Sequence, residues 1–340
     1  MARSKRFHVL IVAALALLLA LPVAEFIARR SSPTYRRMHS PPQPFVRPHP
    51  ERGWELVPGW TGDPEWGTQL RVNQLGLRGP ETTEAKPAGV FRVLLAGDSV
   101  VMGTGLDEGG LIDRRLEYYL QRISHNKNIE VLNGGVSGYD IRQIRSFIID
   151  RGLKLSPNVI VVVTCWNDLP GLSIGDVINP VRDLPVPGKD WLVRHSAIAL
   201  MLRSAYESIG LDSFAPAWLD GSLHEPTRAR IEAGWRAYID EFEKIFRACR
   251  EHHVTLIVMA VPHEAQFFDQ RRRFIPQARL REWALHHGLG YADVAPEFDQ
   301  EIDLPYIQPD PIHPSPRGHD IMGKKLAWMI SYLLDEQVKP

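Results

Sequence analysis

Five short apolar runs set the strongest constraint on how this chain can fold. They are FRVLLAG (91–97), IEVLNGG (129–135), NVIVVVTCW (158–166), VTLIVMAVP (254–262) and the weaker LGYADV (289–294). The first four are rich in β-branched residues and end in turn-forming ones. A run that is apolar without alternation suits a parallel strand buried on both faces. Between the later runs the spacing turns helical. In Arg228–His252, the residues Ile231, Trp235, Phe242, Ile245, Phe246 and Cys249 recur near helical intervals. Further helices are predicted near 271–288 and 317–334. Strands alternating with helices predict an open α/β/α sandwich around a parallel sheet of about five strands.

The flanking segments differ in character. At the N-terminus, Arg3, Lys5 and Arg6 precede an apolar run from Val9 to Ala24. That run lies between the length of a signal-peptide core and a membrane span of about 20 residues. Phe26, Ile27 and Ala28 extend it past Glu25, and Pro22 spoils a small-residue cleavage site. Residues 1–30 therefore read as an uncleaved anchor, with secretion after cleavage as the alternative. Arg29, Arg30, Arg36 and Arg37 balance the leading charges, so the positive-inside rule does not orient the segment. Residues 31–50 are rich in Pro, Ser and His and read as a semi-extended stalk. Residues 51–90 carry turn signals and read as a lead-in packed on one edge of the main domain, which runs over 91–340. Residues 169–226 break the strand-helix rhythm and read as an insertion, either a lid at the catalytic end or a surface excursion, with a helical piece near 194–208.

Composition narrows the function. Lys+Arg and Asp+Glu are equal at 40 each, and no basic stripe interleaves with aromatics, which argues against nucleic-acid binding. The two cysteines, Cys165 and Cys249, are too few for a disulfide framework or a Cys-rich zinc site. No GxGxxG follows the first strand, GxxxxGK[ST] does not occur, and GGVSGY is not a GxSxG nucleophile elbow, because Gly138 directly follows Ser137. His252–His253 and His286–His287 lack the spacing of helix-face metal ligands, so no metal or other cofactor is predicted.

In an open parallel sheet, sites form outside the carboxyl ends of the strands. The residues there are Asp98 and Ser99; Asn133, Gly134 and Gly135; Asn167 and Asp168; and His263 and Glu264. Asp310 and His313 stand just before the last helix. A serine hydroxyl needs a base, and His313 can serve. Asp310 lies three residues earlier, where its carboxylate can fold back to orient the imidazole. The Ser99 N–H, the Gly135 N–H and the Asn167 amide are candidate oxyanion donors. His263 and Glu264 are candidate substrate contacts. Asp98 and Asp168 read as residues that fix their own turns.

The blocks AGDSV, LNGGVSGY, CWNDL and DPIHPSPRGH, in that order, resemble the SGNH (GDSL-type) hydrolases from Phe91 onward. Upstream, VNQLGLRGPE (72–81) is similar to a lead-in of membrane-anchored bacterial members. The resemblance implies a flavodoxin-like three-layer fold and metal-free ester chemistry, with Ser99, His313 and Asp310 as triad and Ser99, Gly135 and Asn167 around the oxyanion. One departure is Cys165, where glycine is common in the third block. The expectation is a membrane-anchored serine esterase acting on acyl esters of a glycan or lipid, its catalytic domain periplasmic or extracellular. Two alternatives stay open: an O-acyltransferase modifying a cell-envelope polysaccharide, and a non-catalytic carbohydrate-binding protein of the same fold.

Overall fold

A computed structural model describes residues 19–32, 35, 43–64, 66–124, 128–165, 168, 188–208, 225–267, 275–310 and 312–337. They fall into two compact units, one of residues 1–43 with 182–213 and one of the remainder.

The larger unit holds the parallel sheet. Its strands are β5 (Phe91–Gly97), β6 (Ile129–Gly135), β7 (Val159–Thr164), β8 (Thr255–Ala260) and β9 (Gly290–Asp293), in the order β6-β5-β7-β8-β9. All neighbours pair in parallel. β5 and β7 are buried along their whole length, as their unbroken apolar runs require. Alternate residues of one strand feed opposite layers. Leu94 and Ala96 join Phe147, Phe242 and Trp283 on one face. Val93 and Leu95 join Leu116, Met322 and Ile330 on the other. Helices Ile141–Phe147, Glu225–Glu251 and Ile275–His286 thus cover the first face, and helices Ile112–Ile123 and Pro316–Gln337 the second. The result is the three-layer α/β/α sandwich. Within the sheet the order is 2-1-3-4-5, the flavodoxin-like winding, and it reverses between β5 and β7. Outside the strand ends at that reversal, where open α/β sheets carry their sites, Ser99 follows β5.

The lead-in is a structural part of this unit. β1 (Val46–His49) pairs with β2 (Gly53–Leu56), and β3 (Thr61–Gly62) with β4 (Leu70–Arg71), both antiparallel. Phe45, Leu56, Leu70, Val72 and Leu77 sink into the first-face core, so the Pro-rich segment is already anchored at Phe45. The motif VNQLGLRG closes a tight turn. Asn73 Oδ1 accepts from Leu75 N and Leu77 N at 3.0 Å each, and Nδ2 donates to Pro80 O at 2.9 Å. That turn delivers Arg78 to the edge of the sheet, where its N–H donates to Asn133 O at 3.1 Å. This single bridge pairs one of the backbone groups along the edge strand β6.

The Arg78 side chain is 2% exposed. It donates to the carbonyls of Met102, Gly103 (2.7 Å) and Leu106 (2.5 Å), just past the turn that carries Ser99. Burial pulls its pKa down to about 10, against the charges of Asp113, Glu108 and Asp107, so it remains cationic at neutral pH.

In the smaller unit, a helix over 19–31 meets helices Lys189–His195 and Ala197–Ser208, which come from the middle of the insertion. Residues 9–18 of the apolar run, and 169–187 and 209–224 of the insertion, lie outside the described residues. Among the described residues no helix is long and apolar enough to cross a membrane.

Replacing Arg78 by Met leaves several buried carbonyls without donors. Chemical denaturation of Arg78→Met is expected to show a loss of about 2–5 kcal/mol.

Candidate active site

Ser99 opens a one-turn helix, Ser99–Met102, directly after β5. Asp98 caps that turn by accepting from Val100 N at 2.9 Å, and Gly103 closes it at φ 72°. Two glycines let the turn sit down on the sheet. A Cβ on Gly97 would lie 2.6 Å from Val163 O, and one on Gly135 would lie 2.2 Å from Met102 N. Backbone atoms cannot yield as a flexible side chain can, so both positions exclude a side chain. Asn133 locks the turn from below, its Nδ2 donating to Val101 O at 2.8 Å and to Asp113 Oδ1 at 2.9 Å.

Asp310 and His313 come together as their spacing suggested. Asp310 Oδ1 accepts from Ile312 N (2.9 Å) and His313 N (3.1 Å), folding the loop back on itself. Asp310 Oδ2 then meets His313 Nδ1 at 2.6 Å. Burial disfavours the imidazolium, but the bond to Asp310, its charge and the charge of Asp98 together outweigh burial and raise His313 above its ordinary pKa. Burial would also raise Asp310, but the His313 bond and the two backbone donors hold it down to about 2. His313 Nε2 is buried and has no hydrogen-bond partner among the described residues. Ser99 Oγ donates to Asp98 Oδ2 at 3.4 Å, and the charge of Asp98 is among those that raise His313.

Other candidates are placed differently. The Gly135 N–H donates to Asn133 Oδ1 at 3.1 Å, and Gly135 is buried beneath the Ser99 turn. Its assignment to the oxyanion is corrected: the donor is already engaged. Three residues on, Gly138 is exposed, lies at φ 79°, and makes no N–H hydrogen bond among the described residues. The third glycine of LNGGVSGY was the available signal for it. Asn167 lies outside the described residues. Burial pushes the His263 pKa down to about 4 while the negative charge of Asp310 resists, and the preceding residue, Pro262, accepts from Tyr306 OH at 2.7 Å. Glu264 Oε1 accepts from Gln308 Nε2 at 2.9 Å, tying the loop after β8 to the Asp310 loop.

A second layer escaped the sequence reading. Cys165 Sγ donates to Asp98 Oδ2 at 3.7 Å, a contact that a glycine could not make. Asp168 Oδ2 accepts from Thr164 Oγ1 (2.7 Å) and Cys165 N (3.1 Å). Burial and the charge of Asp98 push Asp168 well above the usual carboxylate range. Asp98, Cys165 and Asp168 each bring a potential ligand atom within 4.8 Å of the others. The bonds just described already occupy Asp168 Oδ2 and direct Sγ at Asp98, so the cluster reads as an internal hydrogen-bond network. His319 Nδ1 accepts from Ile112 N at 2.9 Å, and burial, with the charges of Arg78 and His313, depresses it to about 3. It is a neutral structural imidazole beside the catalytic block.

Residues 95–321 match the model of the GDSL-like Lipase/Acylhydrolase family. The chain belongs to that family. It is accordingly an acylhydrolase by family, an enzyme acting on ester bonds. No curated protein matches it. Among solved structures it is similar to a GDSL-like lipase from Bacteroides thetaiotaomicron, at 15% identity over 73% of this chain and 92% of that one, TM-score 0.41. It is also similar to a catalytic mutant of Axe2, an acetylxylan esterase from Geobacillus stearothermophilus, at 16% identity over 72% and 95%, TM-score 0.42. The family assignment rests on the match over 95–321, which spans the Ser99 turn, the Asp310–His313 loop and His319 of this GDSL chain.

The pair has a defined signature with pH. A raised His313 contributes stability fully below its unfolded value near 6.5, and loses it as pH rises through the higher folded value. A depressed Asp310 contributes above about 3.9, and loses it as pH falls through about 2. An NMR titration should find His313 protonating above about 6.5 in the wild type and at distinctly lower pH in Asp310→Asn, where bond and charge are gone.

Proposed function

We propose that this GDSL acylhydrolase is a serine esterase in which Ser99 is the nucleophile, His313 the general base and Asp310 the residue that orients it. The observation that carries this reading is the imidazole of His313. Asp310 holds Nδ1 at 2.6 Å, which fixes the tautomer, while the buried Nε2 has no partner among the described residues and is left to accept a proton.

In the proposed reaction, Ser99 Oγ forms a bond to the acyl carbon as His313 Nε2 takes the hydroxyl proton. The carbonyl electrons move to oxygen, and the oxyanion is held by the Ser99 N–H, the Gly138 N–H and the Asn167 amide. Collapse of the tetrahedral intermediate breaks the ester bond, and the imidazolium protonates the leaving alcohol. Water then attacks the acyl-enzyme with His313 again as base, releasing the carboxylic acid and restoring Ser99. Each preorganised oxyanion donor contributes about 10²–10³ in rate.

The substrate in this reading is an acyl ester carried by a glycan or a lipid. The Val9–Ala24 run anchors the chain in a membrane, with the catalytic unit outside the cytoplasm. An acyl-enzyme could equally pass its acyl group to a polysaccharide hydroxyl, so acyl release to water is to be compared with transfer to glycan acceptors.

A fluorophosphonate probe tests the nucleophile. The wild type is expected to be labelled, and Ser99→Ala to lose both labelling and ester hydrolysis while keeping its thermal unfolding transition. A folded wild type that never labels would support the non-catalytic carbohydrate-binding reading instead.

A further inference from the structure

The smaller unit accounts for a residue the sequence left unexplained. Glu25 interrupts the apolar N-terminus one position past Ala24. Its carboxylate accepts from Ala197 N (2.8 Å), Ile198 N (3.2 Å) and Ser196 Oγ (2.8 Å), and so caps the helix Ala197–Ser208. Arg29 supports the same junction, its Nε on Glu25 Oε1 at 2.7 Å and its Nη2 on His195 O at 2.7 Å. Ala28 and Tyr35 are buried with Ala197 and Leu200. The insertion is therefore fastened to the N-terminal helix at the point where the apolar run ends.

The packing leaves many apolar side chains outside. On the N-terminal helix Leu19, Leu21, Val23, Phe26 and Ile27 are exposed, and on the two insertion helices Trp191 (66%), Leu192, Met201 and Leu202 (66%) are exposed. The cations that accompany them are Arg29, Arg30 and Arg194, with the Arg30 guanidinium 4.6 Å from the centre of the Phe26 ring. Apolar residues mixed with tryptophan and arginine match the interface of a bilayer, where indole rings settle and arginine stems snorkel. Residue 25 lies within one helical turn of the apolar run, so a helix capped by it sits at the depth at which that run leaves the bilayer.

We propose that the insertion helices Lys189–His195 and Ala197–Ser208 form a second membrane contact, lying against the surface of the phospholipid bilayer that the N-terminal run enters. This rests on the anchored reading given above. The occupant is the lipid interface, with Trp191, Leu192, Met201 and Leu202 as the contacting residues. Chain continuity extends the consequence to the enzyme: the segment leaving β7 just after Asn167 is tethered to the membrane, which favours membrane-borne esters as substrates.

The full-length chain reconstituted in phosphatidylethanolamine–phosphatidylglycerol vesicles tests this. The emission of wild type minus that of Trp191→Phe isolates Trp191. In vesicles whose acyl chains are brominated, that difference spectrum is expected to lose most of its intensity. A nitroxide on Leu202→Cys, with Cys165 and Cys249 buried, is expected to be more accessible to oxygen than to a water-soluble nickel chelate. Identical difference spectra in plain and brominated lipid, with the protein still resisting alkaline carbonate extraction, would overturn the proposal and leave the anchor standing. This is also the outcome expected if a second copy of the chain covered the patch. Release by carbonate would overturn both.

Discussion

The Ser99 turn depends on a backbone contact that tolerates no side chain. It rests on Gly135, where a Cβ would meet Met102 N of the turn at 2.2 Å, and on Gly97, where a Cβ would meet Val163 O of the neighbouring strand at 2.6 Å. The rest of the site is built to hold that contact. Asn133 bonds Val101 O from below, and Arg78 bonds Met102, Gly103 and Leu106 from the lead-in. A segment before the first sheet strand thereby completes a structure that the sheet alone would leave with unpaired carbonyls. The lead-in and the Ser99 turn are one packing unit, although more than twenty residues of sequence separate Arg78 from Met102.

Electrostatics around this frame separate the carboxylates by environment. Asp310 keeps its charge because it accepts from His313 and from two backbone N–H groups. Asp168, wholly buried near Asp98, is pushed toward its neutral form. His319 is kept neutral by burial, with the charges of Arg78 and His313 acting in the same direction. His313, under the influence of Asp310 and Asp98, is the imidazole that is pushed upward. Residue types repeated within this unit thus have their pKa values pushed in opposite directions by their surroundings.

Much of this was legible because it is local. Continuous β-branched runs identify strands buried on two faces, and the five runs become β5 to β9. The D-x-x-H spacing permits a carboxylate to fold back, and Asp310 does so through two backbone bonds. What the sequence concealed depends on contacts between distant segments. Gly135 looked like an oxyanion donor because it ends a strand, but whether its N–H is available depends on the rotamer of Asn133. The role of Arg78 was not legible, because its acceptors, the carbonyls of Met102, Gly103 and Leu106, belong to another segment. Cys165 looked like a departure, whereas its thiol supplies Asp98 with a donor. Glu25 looked like a break in an apolar run, because its partners lie about 170 residues away.

The central claim is that the unpartnered Nε2 of His313 serves the hydroxyl of Ser99. A crystal structure of the protein inactivated with an aryl alkylphosphonate tests it most directly. The account predicts a covalent bond from phosphorus to Ser99 Oγ, a phosphoryl oxygen within hydrogen-bond reach of the Ser99 and Gly138 N–H groups, and His313 Nε2 facing the same phosphonate. An adduct on another residue, or His313 Nε2 turned away from the phosphonate and bonded elsewhere, would contradict it.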